Sequence, residues 1–171
     1  MCPGVGTASA KLVDRQAGSP TGAWRPGDDP GHRRFLEIGD LPLESGETLP
    51  GTVLAFETWG DLSPAGDNAV LILHALTGDS HVTGPADEHN AAPGWWDGLI
   101  GPGCAIDTDE WCVICTNALG SCYGSTGPAS EHPDGGAWGS RFPAINIRDM
   151  VHAERAFLEA LGLGRVHAII G

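Results

Sequence analysis

The chain has 171 residues, enough for one domain that buries roughly 70% of its unfolded-chain surface. Hydrophobic residues make up 41% of it with no run approaching a membrane span, which places it among soluble globular proteins. A formal net charge of −13 argues against nucleic acid and membrane surfaces as partners, since both are held through basic patches.

Residues 1–33 are rich in Gly, Pro, Ala and Ser, lack apolar periodicity, and read as a disordered leader. No basic region followed by an apolar core marks a secretory signal, and Asp14, Asp28 and Asp29 weaken a transit-peptide reading. A cytoplasmic, reducing setting is therefore expected for the five cysteines.

The ordered domain is expected over residues 34–171. Alternating apolar residues at Phe35–Ile38 and Leu41–Glu44, a turn at Ser45-Gly46-Glu47, and a run from Gly51 to Gly60 predict an antiparallel pair of strands. Pro64, Gly66 and Asp67-Asn68 then break the chain.

Ala69–Leu73 is a short run of β-type residues, closed abruptly by His74-Ala75-Leu76-Thr77-Gly78-Asp79-Ser80-His81. That pattern predicts a buried strand ending in a tight turn of small and polar residues. Such a turn brings backbone N–H groups up to a ligand, as acyl transfer requires when charge builds on a carbonyl oxygen. On the turn alone an ordinary strand-to-loop junction with surface polar residues is the better fit.

The stretch after His81 has little regular patterning, and a connection of that length is either functional or structured in a way the pattern hides. Its paired Trp95 and Trp96 suit a pocket wall or a core plug. Trp111–Thr116 predicts another buried strand, on which Cys112 and Cys115 project to opposite faces and pack rather than bind metal. His74, His81 and His89 lack the spacing of a helical ligand pair, so no metal is expected. The loop Asn117–Pro128 has neither the glycine spacing nor the lysine of a phosphate-binding loop. Cys122 within it has no partner histidine assignable from sequence.

Asn146 as cap and Asp149 in the first turn predict a helix that places Ile147, Met150, Val151, Leu158 and Leu161 on one face and ends at Gly162 and Gly164. Arg165–Gly171 is a last strand. Strands alternating with crossovers predict an α/β fold with a mostly parallel sheet, whose strand ends after Leu73 and Thr116 meet at one edge.

Four segments together resemble the homoserine O-acetyltransferase family, acyltransferases of the α/β-hydrolase fold. They are His74–His81; Gly94-Trp-Trp-Asp-Gly-Leu-Ile-Gly-Pro-Gly103; Asn117–Pro128; and Phe142-Pro143 with Ile147-Arg148-Asp149-Met150-Val151. The resemblance implies an enzyme of methionine biosynthesis that passes an acetyl group from acetyl-CoA through a serine to L-homoserine. Acetyl-CoA is then a substrate, and no cofactor is implied. The backbone N–H of Leu76 becomes an oxyanion donor, and Thr77, Gly78 and Asp79 become substrate-binding candidates. The family's serine stands in a turn for which Gly171 would be the first glycine, so serine, aspartate and histidine of the triad would lie beyond this chain. The resemblance therefore implies the amino-terminal part of an α/β-hydrolase domain, inactive alone, with an apolar sheet edge left unpaired. Ser80, Ser121, Ser125 and Ser140 sit on no strand-to-helix elbow. Succinyl transfer, serine as acceptor, an esterase on the same fold and a non-catalytic short form are the alternatives, and a homodimer is left open.

Overall fold

The structure, a computed structural model, describes residues 23–171. Strands β1 (Arg34–Pro42) and β2 (Thr48–Trp59) form the expected antiparallel hairpin, turned by Gly46 at φ +89°. Strands β3 (Ala69–Ile72), β6 (Cys112–Thr116) and β7 (Ala168–Ile170) are mutually parallel, giving a five-stranded sheet in the order β1-β2-β6-β3-β7. All residues of β3 and β6 are buried, as expected of central parallel strands covered on both faces. Strand β7 pairs with β3 and forms one edge of the sheet.

Helix α1 (Ile147–Ala160) covers one face, and its start follows from two side chains. The Asn146 carboxamide accepts from the N–H of Arg148 and Asp149, while Asp149 Oδ2 accepts from Asn146 N–H at 2.9 Å. This reciprocal cap satisfies donors that a helix start would otherwise leave open. Asp149 Oδ1 accepts from Glu44 N–H at 2.8 Å, tying the helix to the end of the hairpin's first strand.

The buried arc of α1 is not the one that periodicity predicts. Asp149, Ala153 and Phe157 face the sheet, whereas Ile147 and Val151 are exposed. Met150, Leu158 and Leu161 do pack against the core. Phe157 is fully buried and meets the edge of Phe56 with ring centroids 4.9 Å apart. Burying such a ring contributes about 1.5–3 kcal/mol, which sets the helix rotation more firmly than two exposed aliphatic residues could.

On the opposite face Val70, Ile72, Val113 and Cys115 pack with Val82 and Ile100, and Trp96 plugs this second core. The two cysteines of the C-x-x-C do point to opposite faces of β6. The stretch after His81 is tied by backbone bonds, Gly94 N–H to Gly84 at 2.9 Å and Trp96 N–H to Val82 at 2.8 Å. It also contains the two-residue strands β4 (Ile100–Gly101) and β5 (Ile106–Asp107). A Cβ on Gly94 would fall 2.3 Å from the Thr83 backbone, so only glycine permits this approach.

The segment assigned to a leader divides. Residues 1–22 lie outside the described residues, whereas within residues 23–33 Trp24 is buried and stacks on Phe35 at 4.8 Å. Its N–H donates to the Cys122 carbonyl at 2.8 Å, so packed structure begins before Arg34. No described helix is long and apolar enough to cross a membrane.

Candidate active site

The parallel pairing of Ile72 with Cys115 brings the carboxyl ends of β3 and β6 side by side, where open α/β sheets place their sites. Beyond β3 the chain makes a turn closed by Gly78 N–H to the Ala75 carbonyl at 2.8 Å. Leu76 occupies the first corner of that turn. Its side chain is 100% exposed, and its N–H donates to no other group among the described residues. The amide is therefore open to an incoming oxygen. A Cβ on Gly78 would lie 3.0 Å from His74 Cβ, so the turn closes tightly only without a side chain there.

His74 ties this turn to the neighbouring strand end. Its Nε2 accepts from Ala118 N–H at 3.1 Å, which leaves the proton on Nδ1 to donate to the Ala75 carbonyl at 2.7 Å. Of the other sequence-predicted positions, Thr77 is exposed and Gly78 and Asp79 are half-buried. Asp79 Oδ1 accepts from His81 N–H at 2.9 Å, and the Asp79 carbonyl accepts from Trp95 Nε1 at 3.0 Å. Trp95 thus clamps the turn, whereas Trp96 belongs to the core.

Beneath the turn lies a buried polar cluster that sequence reasoning missed. Ser80 N–H donates to Asn117 Oδ1 at 2.7 Å, and Ser80 Oγ donates to Glu57 Oε1 at 3.1 Å. Glu57 Oε2 accepts from His81 Nδ1 at 3.1 Å. Glu57, Ser80 and Asn117 are 4%, 0% and 0% exposed. The loop 117–128 is pinned to β2, with Ser125 Oγ accepting from Ala55 N–H at 3.0 Å and Thr126 Oγ1 from Val53 N–H at 2.8 Å. The only local signal for any of this was polar residues abutting apolar strands.

A second buried carboxyl, Glu154 on α1, accepts through Oε1 from Thr116 Oγ1 at 2.5 Å while Oε2 has no partner. Burial pushes it up to about 7. Burial, and after it Glu154, Glu57 and Asp79, also drive the Cys115 thiol well above its ordinary range, so Cys115 is inert.

A cavity of about 1000 Å³ opens beside β2, with His32, Arg33, Glu57, Trp59, His81 and Thr108 in its wall. Two imidazole–carboxylate pairs line it, His32–Asp87 at 2.6 Å and His81–Glu57 at 3.1 Å, and a third, His89–Asp29 at 2.8 Å, lies outside its wall. His89 is raised by its hydrogen bond to Asp29. Asp29 is lowered, first by the Gly31 N–H and then by His89. Among the described residues no group of His, Cys, Asp and Glu is arranged to hold a metal ion.

Among the described residues no serine is placed as a nucleophile. Ser80 and Ser125 are buried and spend their hydroxyls on Glu57 and the Asn117 carbonyl, and none stands between a strand and the helix it leads into. What the described residues assemble is a tight turn with an open backbone N–H, held at the junction of two parallel strands.

A family profile described as the α/β-hydrolase fold matches residues 68–171. The chain is 58% identical over 152 residues to the homoserine O-acetyltransferase of Thermobifida fusca, covering 88% of this chain and 40% of that protein. It is likewise 58% identical over 151 residues to the homoserine O-acetyltransferase of Leifsonia xyli, covering 88% and 38%. Among solved structures it resembles esterase E22 at TM-score 0.74 and 38% identity, covering 81% of this chain and 40% of that one. It also resembles homoserine O-acetyltransferase from Bacillus anthracis at TM-score 0.71 and 33% identity, covering 80% and 38%. The chain therefore spans about 40% of the length of the curated relatives it matches.

Proposed function

The chain belongs to the α/β-hydrolase-fold family, and from that premise we propose that it forms the oxyanion-binding side of a homoserine O-acetyltransferase. The observation that carries the reading is the unengaged Leu76 N–H at the meeting of β3 and β6. The name homoserine O-acetyltransferase, carried by two relatives at 58% identity over 152 and 151 residues, supports homoserine as the acceptor of an acetyl group, and acetyl-CoA is the proposed donor. Attack on a thioester or ester carbonyl moves charge onto its oxygen, and a fixed backbone donor in a site shielded from water is worth more there than in solution. Thr77, Gly78 and Asp79, on the same turn, are proposed to border the acceptor. The reaction is a two-step exchange through an acyl-serine, with a histidine moving the proton and an acid orienting it.

Those three groups are not among the residues that form this site. The 171 residues by themselves are proposed to bind without turning over. The pathway place is methionine biosynthesis, and the compartment is the cytoplasm.

The test is release of CoA by the full-length protein from acetyl-CoA and from succinyl-CoA, each with homoserine, with serine, and with no acceptor. Acetyl-CoA with homoserine is expected to be the productive pair. Turnover only with succinyl-CoA, or only with serine, overturns the proposed substrates while keeping the fold-level reading. The likeness to esterase E22 at 38% identity supports a second reading in which water replaces homoserine. Acyl-ester hydrolysis equal with and without acceptor would establish that reading instead.

A further inference from the structure

We infer that Glu57 is a positioning residue: through Ser80 and His81 it fixes the foot of the 74–81 turn and so aims the Leu76 N–H. The inference rests on the acyl-transfer reading for its kinetic consequence, but its structural part does not. Glu57 stands on β2 opposite Cys115, so its side chain emerges on the same sheet face as the turn. A carboxylate that is 4% exposed must have its oxygens satisfied by the protein. Both are satisfied by consecutive residues of one element: Oε1 by Ser80 Oγ at 3.1 Å and Oε2 by His81 Nδ1 at 3.1 Å.

Asn117 holds the same foot from the other side. Its Oδ1 accepts Ser80 N–H at 2.7 Å, and its Nδ2 donates to Ser80 Oγ at 3.3 Å. With that lone pair engaged, the Ser80 hydroxyl proton is directed at Glu57. The opposite foot is fixed by the His74 ring on Ala118 and by Leu73 N–H on the Ile170 carbonyl at 2.8 Å. Leu76 sits between two anchored feet, and Glu57 is, among the described residues, the acidic side chain bonded to the second one through two side chains at once.

Glu57→Gln isolates the role. The amide keeps the size of the carboxyl, but it can accept at only one oxygen and presents N–H donors at the other. Because Asn117 Nδ2 already donates to Ser80 Oγ, the Ser80 hydroxyl proton needs an acceptor and takes the glutamine carbonyl oxygen, which turns the amide N–H toward His81 Nδ1. That nitrogen then accepts in the Nε2–H tautomer. The Nε2 atom is already buried without a partner, so the new proton gains nothing. Both contacts are then kept only as bonds between neutral groups, weaker than those to a carboxylate, and the turn loosens.

The experiment uses the full-length protein with Glu57→Gln and, separately, Ser80→Ala, which leaves the Glu57–His81 pair intact. Three quantities are read: amide hydrogen exchange over 74–81 against that of β6, the His81 tautomer by imidazole 15N shifts, and kcat and KM for acetyl-CoA. Expected for Glu57→Gln are an Nε2–H tautomer, faster exchange confined to 74–81, and kcat lower by about tenfold or more with KM within about twofold. Ser80→Ala shows the same exchange pattern with the Nδ1–H tautomer kept. Wild-type exchange over 74–81 in folded variants, or an unchanged kcat beside an altered tautomer, overturns the inference. Should Glu57→Gln fail to fold, Ser80→Ala decides by the same two readouts. A wild-type protein that transfers no acetyl group removes the acyl-transfer reading, and the exchange data alone then decide whether Glu57 holds the turn.

Discussion

Replacing Glu154 by glutamine should remove a pH dependence from folding stability. The carboxyl lies on α1 against the end of β6, takes one hydrogen bond from Thr116, and leaves Oε2 buried without a partner. Its ordinary value of 4.5 is pushed to about 7, with burial as the cause and the Thr116 hydroxyl opposing it. The folded chain therefore holds a proton that the unfolded chain releases between those two values. Stability contributed by this group is full below pH 4.5, declines as pH rises, and is gone once pH passes about 7. At about 1.4 kcal/mol for each unit, the whole difference amounts to about 3 kcal/mol, a large share of the roughly 5–15 kcal/mol that a domain possesses.

Glutamine has the shape of the protonated acid and never ionises. Urea denaturation of wild type and Glu154→Gln at a series of pH values isolates this group, because every other titration cancels in the difference. Near pH 4.5 the two should agree closely. By pH 8 the variant should be more stable by about 3 kcal/mol. A difference that stays constant across the series would refute the assignment and place the carboxylate in contact with water.

Leu76→Pro removes the amide proton at a turn corner that tolerates proline, and should lower kcat for acetyl transfer by about 10²–10³-fold with folding kept. Leu76→Ala should leave kcat near wild type, because the side chain touches solvent alone. Asn146→Ala removes the helix cap and should cost about 1 kcal/mol in chemical denaturation. Asp29→Asn should bring the His89 titration, followed by NMR, down toward 6.5. The stabilisation from His89 is present below pH 6.5 and lost as pH rises through its raised value, so Asp29→Asn should weaken the fold only on the acid side of that value.

The sheet was legible because its strands are marked by local chemistry. Ala69–Ile72 and Cys112–Thr116 are short apolar runs closed by polar or small residues, and both are buried strands. The helix start was legible for the same reason, since Asn146 and Asp149 act on neighbouring amides. Its rotation was not. Two overlapping apolar arcs run along α1, and only the position of Phe56 across the interface selects the one containing Phe157. Periodicity weighs Ile147 and Phe157 alike, whereas packing does not.

The candidate site divides along the same line. The turn bearing Leu76 announces itself through a strand ending in small and polar residues, while its support comes from positions remote in sequence. Glu57 is 23 residues from Ser80 and 24 from His81, and Thr116 is 38 from Glu154. Within β2, Glu57 has the look of an outward residue, yet it is buried with Ser80 and His81 bonded to its carboxyl. A carboxylate placed there must either be tied to donors or destabilise the sheet, so the loop that covers it has to supply them. Ser80 and His81 are those donors. The requirement that a buried charge be satisfied thus fixes the path of the loop, and the path of the loop sets the direction of the Leu76 amide.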